Sequence, residues 1–169
     1  FTPTANFSGT SSVTYALADG FTTSSGTLSI NVSAANDAPT GANKTITLLE
    51  DTPYTFSAAD FGFSDPADAS GPTGANTFQS LILSSLPGTG SLQLAGAAVI
   101  AGQEISAANL SSLTYIPAAN ANGSSIASFT FQVRDNGGTA NGGSDLDPTP
   151  NTITFAATAV NDAPQADNS

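Results

Sequence analysis

The tetrapeptide Asn-Asp-Ala-Pro occurs twice, at residues 36–39 and at residues 161–164, and what precedes each copy is shared as well. The stretch FTPTANFSGTSSVTYALADG (1–20) lies over YIPAANANGSSIASFTFQVRDNG (115–137). Phe1 falls on Tyr115, Pro3 on Pro117, Asn6 on Asn120 and Gly9 on Gly123; after a two-residue insertion Asp19 falls on Asp135. An alternating stretch follows in each copy, TLSINVSAA in the first and NTITFAATAV in the second. Self-similarity at a fixed spacing is the mark of a tandem array. It divides the chain into residues 1–38, the last third of one repeat; 39–164, a complete repeat; and 165–169, a linker to the next. The connection inside the second copy is nine residues longer and rich in Gly, Asn and Asp, an insertion of the kind that belongs on an exposed loop.

The complete repeat reads as strands throughout: KTITLLE, YTFSAADF, FQSLILSSL, SLQLAG, AAVI, SLTYIPA, SFTFQVRD and TITFAATAV. Apolar residues mostly alternate along them, as in Phe129, Phe131 and Val133, the period of a strand with one face inward. Composition agrees. There are one Lys, one Arg and two Glu, against 44 Ser or Thr and 26 Gly or Pro, a vocabulary of short strands and turns. The expected fold is all-β, a Greek-key sandwich of two sheets. The one helical turn expected is ISAANL (105–110), with Ser106 as its N-cap. The partial repeat poses a difficulty, because an isolated hairpin is marginal in water. Val13, Tyr15, Leu17, Leu28, Ile30 and Val32 need a partner sheet, supplied either by an upstream part of the same chain or by another subunit.

Cys, Met, Trp and His are all absent. That removes disulfides, thiolate nucleophiles, the usual general base and most transition-metal ligands. Catalysis is not expected. With 13 acidic residues against two basic ones the net charge is −11, which repels nucleic acid and anionic lipid and makes divalent cations the natural counter-charge. There is no apolar run near 18 residues and no leader pattern, and the chain reads as an interior piece of a longer secreted protein.

The stretch YIPAANANGSSIASFTFQVRDNGG, followed by TAVNDAP, resembles the cadherin-like tandem repeats of giant bacterial surface adhesins and biofilm proteins, of the VCBS type. The likeness covers essentially the whole chain and is reinforced by EDTP at 50–53. It implies a cadherin/immunoglobulin-like sandwich and a non-enzymatic, extracellular role in cell adhesion. It also implies calcium between consecutive domains. Carried over residue by residue, the ligands at the first joint are Asn36 and Asp37 of the linker, Glu50 and Asp51 of EDTP, and Asp19. At the distal joint they are Asp135, Asn161 and Asp162. Asp65 and Asp68, in FSDPAD, resemble the mid-domain acidic motif more loosely. The chain departs from the cadherin linker in carrying Ala35 or Val160 where that linker has a further acid, which points to fewer or weaker ions.

Each feature also has a plainer reading. Asn-Asp-Ala-Pro is a good turn former whatever it binds, EDTP can be a solvated loop, and DNGGTANGGSDLDPTP (135–150) reads best as a flexible hairpin tip, although Asp145 and Asp147 are close enough in sequence to assist a neighbouring site. Three roles remain open. The first is a calcium-stiffened spacer, whose partners are neighbouring repeats of the same chain. The second is a module that binds cell-surface glycans or a like domain. The third is a fibre subunit in which residues 1–35 complete the sandwich of a like chain.

Overall fold

The computed structural model describes residues 1–70 and 75–164; the expected linker at 165–169 lies outside the described residues. The strands are β1 (Gly9–Ala18), β2 (Thr23–Val32), β3 (Lys44–Leu49), β4 (Tyr54–Thr55), β5 (Phe78–Leu83), β6 (Ser91–Leu94), β7 (Ala97–Ala98), β8 (Glu104–Ser106), β9 (Leu113–Ile116), β10 (Gly123–Asp135) and β11 (Asn151–Thr158). The only helical elements among the described residues are short 3-10 turns, and no helix there is long and apolar enough to cross a membrane.

From β3 onward the strands form two packed sheets. One has the order β3-β11-β10-β5-β8 and the other β4-β9-β6-β7. β3 runs parallel to β11, with Ile46 opposite Phe155, and the remaining pairs are antiparallel. Alternation does what the sequence promised: Ala127, Phe129, Phe131, Val133 and Asp135 point inward along β10, with Ser128 and Thr130 on the other face. The facing sheet contributes Leu92, Leu113 and Tyr115. Tyr115 stacks on Phe155 with ring centroids 3.8 Å apart and donates its hydroxyl proton to the Thr89 carbonyl at 3.2 Å. Phe56 packs edge-on against both Phe129 and Phe155, so the aromatic layer ties the two sheets together.

Several expected elements differ: AAVI is a strand only at Ala97–Ala98, and Glu104–Ser106, which overlaps the expected helical turn, is a strand. YTFSAADF is a strand only at Tyr54–Thr55 and then turns into a 3-10 helix over Ala58–Asp60. The cause is Asp60, whose buried carboxylate accepts from the Ser57 amide (2.7 Å), the Ser57 hydroxyl (3.0 Å), the Tyr54 hydroxyl (3.0 Å) and Lys44 Nζ (2.6 Å). Those bonds hold the chain in a turn that a continuous strand would break. The turn expected at 105–110 forms two residues later, over Ala107–Ser112, with Ser106 as N-cap but without a side-chain capping bond.

β1 and β2 form a separate two-stranded sheet. Their inward-type residues remain open to solvent: Val13, Tyr15, Leu17 and Leu28 are all about half exposed or more.

Candidate functional site

Strand direction decides which acids meet. Residues 33–43 lead from β2 into β3, and Glu50 sits at the far end of β3, hydrogen-bonded through its backbone to Thr158 at the end of β11. β10 runs antiparallel to β11, so Asp135 lies at the end of the domain where β3 starts. Thirteen residues of β10, roughly 40 Å of strand, separate it from the end where Asn161 and Asp162 follow β11. The grouping therefore differs from the one expected. Asp135 joins Asn36 and Asp37 at the proximal end, whereas Glu50 and Asp51 join the residues around Asn161 and Asp162 at the distal end. Asp19 joins neither. It lies at the tip of the β1–β2 hairpin, at the opposite end from Gly9 and Val32, where the Thr22 and Phe21 amides hold its carboxylate at 2.7 and 2.8 Å and keep its pKa below the ordinary aspartate value.

At the proximal end Asn36 is the hub. Its side-chain amide donates to both Asp135 oxygens, at 3.0 and 3.2 Å, and to the Ser144 carbonyl at 2.6 Å. Its carbonyl oxygen accepts from the Ser144 amide at 2.8 Å, and its amide oxygen accepts from the Asn76 side chain. Asn76 also donates to Asp68 Oδ2 at 3.0 Å, and the same oxygen accepts from the Asp37 backbone amide at 2.9 Å. Asp135 is fully buried, with the Gly137 amide on Oδ1 at 2.8 Å. Burial pushes its carboxyl above the ordinary aspartate range; the Gly137 and Asn36 amides oppose that push, and the charges of Asp65 and Asp145 add to it.

Asp65 is the least satisfied group in this cluster. It is 8% exposed, and neither of its carboxylate oxygens has a hydrogen-bond partner. Among the described residues neither basic side chain is free to reach it. Lys44 is bound to Asp60, and Arg134 to Asp145 (2.9 Å) and Glu104 (3.2 Å). A buried carboxylate in that condition is costly unless something positive reaches it. Among the described residues no three acidic side chains converge on one point, so any cation here would draw on carboxylates together with the amide oxygens of Asn36 and Asn76 and on backbone carbonyls. Calcium accepts that mixture. The donor set and the unpartnered Asp65 carboxylate fit such an ion.

The insertion at 136–150 is not the free loop tip expected of it. Asp147 is fully buried and accepts from Gly41 N (2.8 Å), Thr149 N (2.9 Å) and Asn151 Nδ2 (2.7 Å). Asn141 donates to the Ala34 carbonyl at 2.8 Å. Gly137 and Gly143 flank Asn36 so closely that an added Cβ would lie 1.7 Å from its Oδ1 or 2.6 Å from its backbone nitrogen. Asp147 was named from the sequence as able to assist a neighbouring site, whereas Asn76, Ser144 and the two glycines were not legible, because they act through position and not through residue type.

At the distal end Glu50, itself buried, accepts from Val160 N at 2.6 Å and Asn122 Nδ2 at 2.8 Å. Asp51, with φ 59°, accepts from Asn120 N at 2.9 Å. Asn161 and Asp162 are exposed.

Residues 36–147 match the family described as bacterial Ig domain. No curated protein and no solved structure matches significantly.

Proposed function

From the premise that this chain belongs to the bacterial Ig domain family, a family of generally non-catalytic modules typical of extracellular or surface-exposed proteins, we propose that it is a cadherin-like spacer of a bacterial surface adhesin whose joints are stiffened by calcium. The observation that carries this reading is the Asp65 carboxylate, buried without a donor beside the buried Asp135. Proximal ligands would come from Asp65, Asp68, Asp135, Asn36 and Asp37, and distal ones from Glu50, Asp51, Asn161 and Asp162. Because Asn36 and Asp37 belong to the linker and the others to the sandwich, an ion held by both would fix the direction in which the chain enters the domain. Calcium would supply positive charge there; the protein supplies oxygens, and Pro39, buried in the fold, fixes the backbone that follows.

Extracellular modules of this kind bind calcium at about 10⁻⁴ to 10⁻³ M, which suits an environment outside the cell. Calorimetric titration tests the reading. The intact chain should take up calcium in that range, and Asp135→Asn and Asp37→Ala should each lose at least one ion or weaken it about tenfold. Titrations of the intact chain that show no heat at millimolar calcium would leave only an Ig-like spacer without metal.

A further inference from the structure

With one Lys and one Arg in 169 residues, this fold meets several of its buried carboxylates with asparagine amides. Asn151 Nδ2 donates to Asp147 Oδ2 at 2.7 Å and to the Thr149 carbonyl at 3.2 Å. Asn122 Nδ2 donates to Glu50 Oε2 at 2.8 Å and to the Asn120 carbonyl at 3.2 Å. Asn36 repeats the arrangement on Asp135 and the Ser144 carbonyl. In each case an NH2 group with two hydrogens lies between a carboxylate and a carbonyl, the place a cation would take between the same oxygens.

Of the three, Asn36 alone among the described residues is also held at its other end. Its Oδ1 accepts from Asn76 Nδ2, which donates as well to Asp68 Oδ2 at 3.0 Å. The two amides therefore form a directed chain, from Asn76 to Asn36 and Asp68, and from Asn36 to Asp135. Neighbours fix that direction. The end of Asn36 that faces Asp135 meets two carboxylate oxygens and one carbonyl, and a further oxygen placed there would be repelled by all three. A cation reverses the preference, because it takes oxygens and not NH2 groups. If Asn36 turns over, its NH2 meets the NH2 of Asn76, so Asn76 has to turn with it. The Asn76 oxygen then faces the Asp68 carboxylate, which is favourable only with positive charge between them.

We propose that Asn36 and Asn76 are a coupled amide switch in the proximal site: without calcium their NH2 groups stand in for the cation, and on calcium uptake both side chains turn over together, presenting the Asn36 oxygen and releasing Asp68. The inference rests on the calcium reading given above. A separate observation points to a cation at the same place. Asp65, 8% exposed and without a donor on either oxygen, belongs to this cluster, near enough for its charge to act on Asp135.

The test follows the side-chain amide of Asn36 in the intact chain by nuclear magnetic resonance. Gly137 N and Asn36 Nδ2 both donate to Asp135 Oδ1, at 2.8 and 3.0 Å, so their hydrogens lie side by side and should give a cross-peak in chelator. Titration with calcium chloride should abolish that cross-peak in step with the uptake measured by calorimetry. The Ser144 backbone amide, which bonds the Asn36 main-chain carbonyl, should keep its own contacts to the linker. Asn36→Asp supplies oxygens and no donor. In chelator its amide exchange at Ser144 should be about tenfold or more faster than in the parent, whereas it should bind calcium about tenfold more tightly, since ligand charge tunes such sites. Calcium uptake with the Asn36–Gly137 cross-peak intact overturns the switch and leaves the calcium reading standing. So does weaker calcium binding by Asn36→Asp, the result expected if Asn36 only holds the linker in place. A chain that takes up no calcium overturns both.

Discussion

A carboxylate that has left water and met no donor destabilises the fold. Asp65 is in that position, and the consequence can be read from one substitution. In chelator, Asp65→Asn removes the charge and keeps the shape, and should raise stability by about 1–2 kcal/mol, the difference between stranding a charged and a neutral polar group. In millimolar calcium the order should reverse, with the parent chain the more stable; paired thermal melts decide it. Asp60 is the opposite case. Burial alone would raise its pKa, but the bonds from Lys44, from the Ser57 amide and hydroxyl and from Tyr54 outweigh it and hold the carboxyl below the ordinary aspartate value. Because the folded value is depressed, its contribution is complete above the unfolded value near 4 and is lost as the pH falls through the folded value. Asp60→Asn should therefore lower stability near pH 6, by about 1–3 kcal/mol, and flatten the remaining decline between pH 4 and pH 2, as denaturant midpoints measured across that range would show.

The strands were legible because burial on one face leaves a period of two that the residues spell out, as along Phe129, Phe131 and Val133. The 3-10 turn at Ala58–Asp60 was not, since it depends on donors from Lys44 and Tyr54 that only the folded chain brings to Asp60. The insertion after Asp135 was misread for a related reason. Its Gly and Asn residues suggest freedom, whereas Gly137 and Gly143 are small so that Asn36 can fit between them. Gly143 has an ordinary φ of −66°, so Gly143→Ala tests the close approach without backbone strain. The added methyl should push the linker off the sandwich and break the pair of bonds between Asn36 and Ser144. Two bonds at about 1 kcal/mol each correspond to roughly 30-fold faster amide exchange at Ser144. Exchange in β10 and β11, which the methyl does not touch, should stay within about twofold of the parent.

At the scale of the whole chain two copies of Asn-Asp-Ala-Pro each follow a hairpin, and equivalent residues pair in both hairpins, although β10 carries a bulge between Gly123 and Ala127 that β1 lacks. Which acids share a joint was not readable. Asp19 and Asp135 end their strands far from the linker that follows, and only the directions of β3, β10 and β11 send Glu50 to one end and Asp135 to the other. That regrouping changes what calcium would do. An ion at the proximal end would brace the linker against the domain it enters, through Asn36, Asp37, Asp65 and Asp135, and would act on the angle between successive units and not on the sandwich core. Small-angle scattering of a chain with two consecutive units, residues 36–160 followed by residues 36–164, should then show a longer maximum dimension and a narrower distance distribution in about 2 mM calcium, just above the affinity range for such modules, than in chelator. Magnesium should not substitute, because it demands a small octahedral shell and dehydrates reluctantly, while the oxygens here are an irregular mixture of carboxylate, amide and carbonyl. Monovalent salt should not substitute either. At a net charge of −11 it screens repulsion between units at separations beyond about 10 Å at 0.1 M, but it places no positive charge beside the buried Asp65. Equal lengthening in magnesium, or in salt alone, would mean that general charge repulsion sets the shape and that the Asp65 cluster plays no part in it.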